Sequence, residues 1–146
     1  MPAPYLYALG TQSVHYRCDK IYDSLETMVR EAKDIDAVAV FSGAPDVFST
    51  PSLGALVEAT AAGWLARQLE AGQISVGTQL VINHTAATPP GLAVTAEVKV
   101  VAIDGRRVDF DWTARDDREQ VGHGTHQRFV VDAARFMAGV EKKLQG

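Results

Sequence analysis

Cysteine is almost missing from this chain: Cys18 stands alone among 146 residues. No internal disulfide can form, and no cysteine-based metal site is written here. Such scarcity suits a reducing compartment. Long apolar runs are missing too. No stretch approaches the roughly 18 consecutive apolar residues that a membrane span requires. The start, Met1-Pro2-Ala3-Pro4-Tyr5, lacks the basic segment and apolar run of a signal peptide. The expectation is a soluble cytoplasmic protein with no membrane partner. Positive charge is also short. The net charge is −4, and Lys and Arg are scattered apart from Arg106-Arg107 and Lys142-Lys143. That argues against a nucleic-acid partner, which calls for a basic stripe, although a short basic pair can serve one phosphate-bearing ligand. Also missing are a Gly-rich phosphate loop with its lysine, a serine nucleophile elbow, internal repeats and low-complexity segments.

What is present fits one globular domain over residues 1–146. The length allows a sizeable core, and 47% apolar with 22% charged residues excludes the disordered and fibrous classes. Ser13 to Arg17 reads as a short strand, and Ile21, Leu25, Met28, Val29 and Ala32 recur at helical spacing. Asp36 to Phe41 is a short apolar run, closed by the punctuation Ser42-Gly43-Ala44-Pro45. Thr50-Pro51 then opens a helix, with a hydroxyl to cap it and proline at its first position. This helix should run to about Glu70 and end at Gly72. Leu53, Leu56, Val57, Thr60, Ala61, Trp64 and Leu65 follow its period, and small residues fill most of the rest. A helix so apolar or small all round should be buried on most sides.

After it come four strands: Ser75 to His84, Leu92 to Ile103, Arg107 to Arg115 and Gln120 to Val131. Asp104-Gly105 marks a hairpin. Val108, Phe110 and Trp112 share one face, while Gly122 and Gly124 mark a bulge or a close backbone approach. Ala133 to Leu144 closes as a short helix. The fold class is therefore α+β: a four-strand antiparallel meander, joined by the N-terminal strand and wrapped around one central helix. Such a sheet leaves open edges, and pairing them in a homodimer removes that liability.

Few residues are placed to carry chemistry. Glu58 is the only charge in the apolar helix before Arg67. A buried carboxylate costs several kcal/mol unless it is paired or used, so it marks either an ion pair or an active site. His84 ends an apolar strand just before a proline-rich turn, where a structural role competes with a chemical one. Thr50 reads as a helix cap, a position that also attracts a developing oxyanion. Gly122-His123-Gly124-Thr125-His126-Gln127-Arg128 offers two more histidines and an arginine. Two His three apart on a strand do not share a face, so a zinc site is not expected there.

The runs Val47-Phe48-Ser49-Thr50, Glu58, Gly77-Thr78 and His84-Thr85-Ala86-Ala87-Thr88-Pro89-Pro90-Gly91 resemble the fluoroacetyl-CoA thioesterase family. The likeness continues through Gly105-Arg106-Arg107 and Gly124-Thr125-His126-Gln127-Arg128. It covers roughly Asp46 to Lys143, and residues 1–45 form a divergent segment. The resemblance implies a dimeric hot-dog fold that hydrolyses a small acyl-CoA thioester, with CoA as part of the substrate and no separate cofactor or metal. It implies Thr50, Glu58 and His84 as the catalytic set, Gly77 beside the acyl group and Arg128 as a supporting residue. The fluoroacetyl-specific enzyme carries a gating phenylalanine just before the threonine. Here Ala44 stands in its place, and Phe41 matches one aromatic of that region, so a different acyl selectivity is expected. Arg106, Arg107 and Lys99 are the candidate partners of the CoA phosphates. The alternatives are a non-catalytic acyl-CoA binder and a hot-dog enoyl-CoA hydratase or dehydratase.

Overall fold

A computed structural model of the chain describes residues 47–89 and 91–146, and the backbone of 11–17. The expected helix of Ile21 to Ala32, the run Asp36 to Phe41, the punctuation after it, Cys18 and Ala44 lie outside the described residues.

The elements in chain order are β1 (Thr11–Arg17), α1 (Thr50–Ala66), β2 (Gln73–His84), β3 (Ala93–Asp104), β4 (Arg107–Arg115), β5 (Gln120–Asp132) and α2 (Ala133–Glu141), with a 3-10 turn over Lys142–Gln145. Ser49, not Thr50, caps α1: its side chain accepts the N–H of Ser52 at 3.2 Å. Thr50 is already inside the helix, and its hydroxyl is left for another partner. The helix stops at Ala66 rather than near Glu70, with Arg67 as its C-cap. Gly72, at φ 85°, lies in the turn that leads into β2.

The five strands form one antiparallel sheet in the order β1-β3-β4-β5-β2. The expected four-strand meander is thus corrected to three strands, β3-β4-β5, because β2 pairs with β5 and the chain must cross to reach β3. That crossing, over residues 85–92, is pinned by polar contacts. Thr85 N–H donates to the Val121 carbonyl at 2.8 Å, and Phe48 N–H donates to the Thr88 carbonyl at 2.9 Å. The buried Thr88 hydroxyl donates to Asp116 Oδ2 at 2.9 Å, while Asp116 Oδ1 accepts the N–H groups of Arg118 and Glu119. Burial alone would raise the Asp116 pKa. Those hydrogen bonds and the nearby Arg115 charge outweigh it and hold the carboxyl below its ordinary value.

The β3–β4 hairpin also shifts by one residue from the expected position. Asp104 pairs with Arg107, so Gly105-Arg106 is the two-residue loop. Gly105 has φ 60° at the first loop position, where a type II′ turn requires glycine.

Alternation along the strands builds the core. Val94, Ala96, Val98 and Val100 of β3 face inward with Val108, Phe110, Trp112 and Ala114 of β4. Against them α1 lays Leu53, Val57, Ala61, Trp64 and Leu65, and the Trp64 ring meets Phe110 edge-on at 6.1 Å. The helix touches β2 at one edge of the sheet and β1 with β3 at the other, so the sheet curls round it. One face of α1 stays open among the described residues. Ala55, Glu58, Ala59, Gly63 and Ala66 are exposed there, while nine of the 17 helix residues are buried, as expected of a helix covered on most sides.

Gly122 and Gly124 serve close approach. A Cβ at Gly124 would lie 1.9 Å from the Val81 carbonyl oxygen and 2.9 Å from Trp112 Nε1. The space is already used, since Trp112 Nε1–H reaches across to donate to that same carbonyl at 3.1 Å. A Cβ at Gly122 would meet Leu53 Cδ2 at 3.0 Å. Gly124→Ala is therefore expected to lower the unfolding free energy by about 3 kcal/mol or more, because rigid backbone cannot yield as a side chain can. Urea unfolding measures it, and a loss below ~1 kcal/mol would contradict the packing described.

Candidate active site

The candidate residues form two groups on the α1–β2 side. At the start of α1, Thr50 Oγ1 lies 2.9 Å from His84 Nδ1 at the end of β2. Ser49 has taken the capping role, which leaves the Thr50 hydroxyl for this bond, at the positive end of the helix dipole. His84 Nε2 is buried without a hydrogen-bond partner among the described residues. Burial holds the His84 pKa below its usual 6.5, so the ring is neutral at pH 7.

Two helical turns on, Glu58 sits on the open face of α1. Its side chain is 48% exposed, not buried as the apolar helix suggested. Arg128 NH1 lies 3.8 Å from Glu58 Oε2, an ion pair too long for a hydrogen bond. Gly77 is the floor between them. A Cβ there would come within 3.2 Å of both Arg128 NH1 and Glu58 Oε1 and within 3.3 Å of His126 Cε1. Next to it, Thr78 is the extra residue of a β-bulge, since Gly77 pairs with Arg128 but Gln79 pairs with Gln127. The Thr78 hydroxyl bonds to Gln127.

Within one chain the structure does not bring Glu58 to Thr50 and His84. Eight residues of helix separate Thr50 from Glu58, about 12 Å along the axis at 1.5 Å per residue. The three candidate cations also stand apart from Glu58. Lys99 is exposed opposite Asp111 on the outer face of the sheet. Arg107 faces outward as well, between Asp109 at 3.3 Å and Asp104 at 3.8 Å. Arg106 is exposed in the hairpin loop. Phe41 and Ala44 fall outside the described residues.

His126 was not singled out as a site residue from the sequence. It is 2% exposed on the inner face of β5 and bonds both Gln79 and Arg128. The available signal was alternation: His126, Arg128 and Val130 are two apart and so share one strand face. Pairing His126 with His123 looked across the strand instead of along the face. Among the described residues no group of three or more His, Cys, Asp or Glu is placed to hold a metal ion. No described helix is long and apolar enough to cross a membrane.

Comparison with known proteins gives the family and the fold. The model of the fluoroacetyl-CoA-specific thioesterase family matches residues 29–134. The chain belongs to that family. It is 39% identical over 103 residues to the fluoroacetyl-CoA thioesterase of Streptantibioticus cattleyicolor, covering 70% of this chain and 74% of the relative. The solved fluoroacetyl-CoA thioesterase FlK is 29% identical with a TM-score of 0.78, over 94% of this chain and 97% of its own. A hot-dog-like protein from Thermanaerovibrio acidaminovorans, 21% identical, superimposes with a TM-score of 0.77 over 97% of this chain and 96% of its own. That last likeness concerns the fold alone, and it agrees with a sheet curled round one helix.

Gly77 offers a direct test of the floor. In Gly77→Ala the new methyl presses on the held Arg128 and His126 side chains at 3.2 and 3.3 Å, contacts that a few tenths of an ångström relieve. It also presses on the half-exposed Glu58 carboxylate, which can swing away, so the fold should survive with a melting temperature within a few degrees of wild type. The Glu58–Arg128 pair must move, and thioester hydrolysis should drop by roughly tenfold or more. Equal activity in the variant would show that the position over Gly77 is not used.

Proposed function

We propose that this chain hydrolyses a small acyl-CoA thioester to the free acid and CoA, with an acyl selectivity different from that of the fluoroacetyl-specific enzyme. The observation that carries the reading is the state of Glu58. Its carboxylate is open to solvent over a side-chain-free floor, and its cation stands at 3.8 Å, beyond hydrogen-bonding distance. A structural ion pair closes to hydrogen-bonding distance; this carboxylate is held near its partner and stays available.

Glu58 acts as nucleophile on the thioester carbonyl or as general base on water. The Thr50 hydroxyl and the backbone N–H groups at the start of α1 stabilise the oxyanion as the carbonyl becomes tetrahedral. Neutral His84, bonded to Thr50, orients that hydroxyl and assists departure of the CoA thiolate. Arg106 and Arg107 are assigned to the CoA phosphates. Arg106 has the stronger case, having no ion pair among the described residues, whereas Arg107 already lies beside two carboxylates. The altered selectivity rests on Ala44 standing where the fluoroacetyl-specific enzyme keeps its gating phenylalanine.

The protein works as a homodimer in this reading. Thr50–His84 and Glu58 are about 12 Å apart along one helix, β2 is an edge of the sheet among the described residues, and the open face of α1 is lined mostly by Ala and Gly. A two-fold mate that joins edge to edge brings Thr50 and His84 of one protomer toward Glu58 of the other.

Thiol release from acetyl-, fluoroacetyl-, propionyl-, butyryl- and phenylacetyl-CoA tests the reaction. Glu58→Gln should cost orders of magnitude in kcat, and a loss below about tenfold, or ~1.4 kcal/mol, would remove Glu58 from its role. A preference for fluoroacetyl over every other ester would remove the altered selectivity. Shared sites are tested by complementation. Co-expressed Thr50→Val and Glu58→Gln chains should recover up to roughly a quarter of wild-type activity, since half of randomly paired dimers carry one intact site. No recovery in a mixed dimer would place each site within one chain.

A further inference from the structure

Arg128 is the one buried cation among the described residues, 6% exposed on the inner face of β5. A buried charge is retained only where its hydrogen bonds are well met, and here they come from two sides. Nε donates to Ser75 Oγ at 2.8 Å and NH2 donates to the Ser75 carbonyl at 3.0 Å. NH1 lies 3.2 Å from His126 Nε2. The same NH1 faces Glu58.

The chemistry of its partners decides the state of His126. The Gln79 carbonyl, 2.8 Å from Nδ1, can only accept, so Nδ1 carries the proton. The guanidinium can only donate, so Nε2 carries a lone pair. Both contacts are met by the neutral Nδ1–H ring and by no other form. The ring is clamped further by Phe110, which stacks on it at 26° with centroids 6.2 Å apart. The Thr78 bulge sits next to Gln79 in β2, so the irregular stretch of the strand supplies the carbonyl that sets the ring.

We propose that His126 is a positioning residue for hydrolysis: its Nε2 lone pair fixes the Arg128 guanidinium and thereby places the Glu58 carboxylate over Gly77. The proposal rests on the hydrolytic reading and assigns the relay Gln79 carbonyl, His126, Arg128, Glu58 within it. The charged groups facing the ring are Arg128 on its own strand and Glu58 on α1; β2 and β4 present Gln79 and Phe110. Burial pushes the ring's pKa below 6.5. The Gln79 bond opposes this, Arg128 reinforces it and Glu58 opposes it.

Two substitutions separate positioning from packing. His126→Asn keeps a donor near Nδ1 and offers nothing to Arg128, whereas His126→Gln extends an acceptor toward it. Asn should lower kcat by about tenfold or more with KM within about threefold, and Gln should keep at least about a third of wild-type kcat. In an Arg128→Lys background, His126→Asn should add less than about twofold, because residues that act through one another are not additive. Equal kcat in the Asn and Gln variants, or effects that multiply with Arg128→Lys, would overturn the proposal. A readout independent of turnover comes from 15N ring shifts of His126 in the wild-type protein and in Arg128→Lys. A pure Nδ1–H tautomer at pH 7 that becomes mixed in Arg128→Lys upholds the His126–Arg128 contact even if no ester of the panel is hydrolysed. A mixed tautomer in the wild type overturns it.

Discussion

The closeness of β2 to β5 and Trp112 sets the shape of this molecule. Trp112 Nε1–H reaches the Val81 carbonyl through the space that a side chain at Gly124 would fill. Two residues earlier on β5, Gly122 admits Leu53 from the first turn of α1. The sheet therefore curls tightly at the end where α1 begins, and close packing there leaves little freedom in the placement of the helix. Thr50 stands three residues before Leu53, and His84 pairs with Gly122 in the β2–β5 ladder. The contact between the Thr50 hydroxyl and the His84 ring is thus a consequence of two missing side chains on β5.

Along the same strand the inner face changes character. Gly122 and Gly124 give way to His126 and Arg128, then to Val130. A polar stretch in the concave face of a sheet is costly unless each polar group finds a partner. Ser75, Gln79 and Glu58 provide them from β2 and α1. The result is an asymmetric pair of charges: an arginine immobilised in the interior and a glutamate held at the surface of the helix. The cation is the rigid member of the pair, so the carboxylate is directed without being enclosed.

Much of the architecture was legible because it depends on local rules. The alternation in β3 and β4, the proline near the start of α1 and the terminal helix follow from period and capping chemistry, and each element fell within a few residues of its expected position. The errors share a cause. Thr50 looked like the cap because it precedes proline, yet Ser49 fills that role and Thr50 turns to a residue 34 positions away. The four-strand meander failed because the β2–β3 crossing is held by Val121, Asp116 and Phe48, none of them near the turn in sequence. Glu58 looked buried because composition reports the average of a helix and not which side the sheet covers.

The sequence by itself determined the described elements to within a few residues, the apolar faces of β3 and β4, the glycines that mark a bulge or a close backbone approach, and the family, through runs of residues that resemble it. Only the tertiary structure decided which polar groups meet. It put β2 beside β5, divided Thr50–His84 from Glu58 along one helix, left Glu58 half-exposed, and set His126 against Arg128. The physical reason is that a strand or helix is specified by contacts a few residues apart, whereas hydrogen bonds between side chains depend on strand order, register and a single bulge. These are fixed only when the whole sheet closes on its helix.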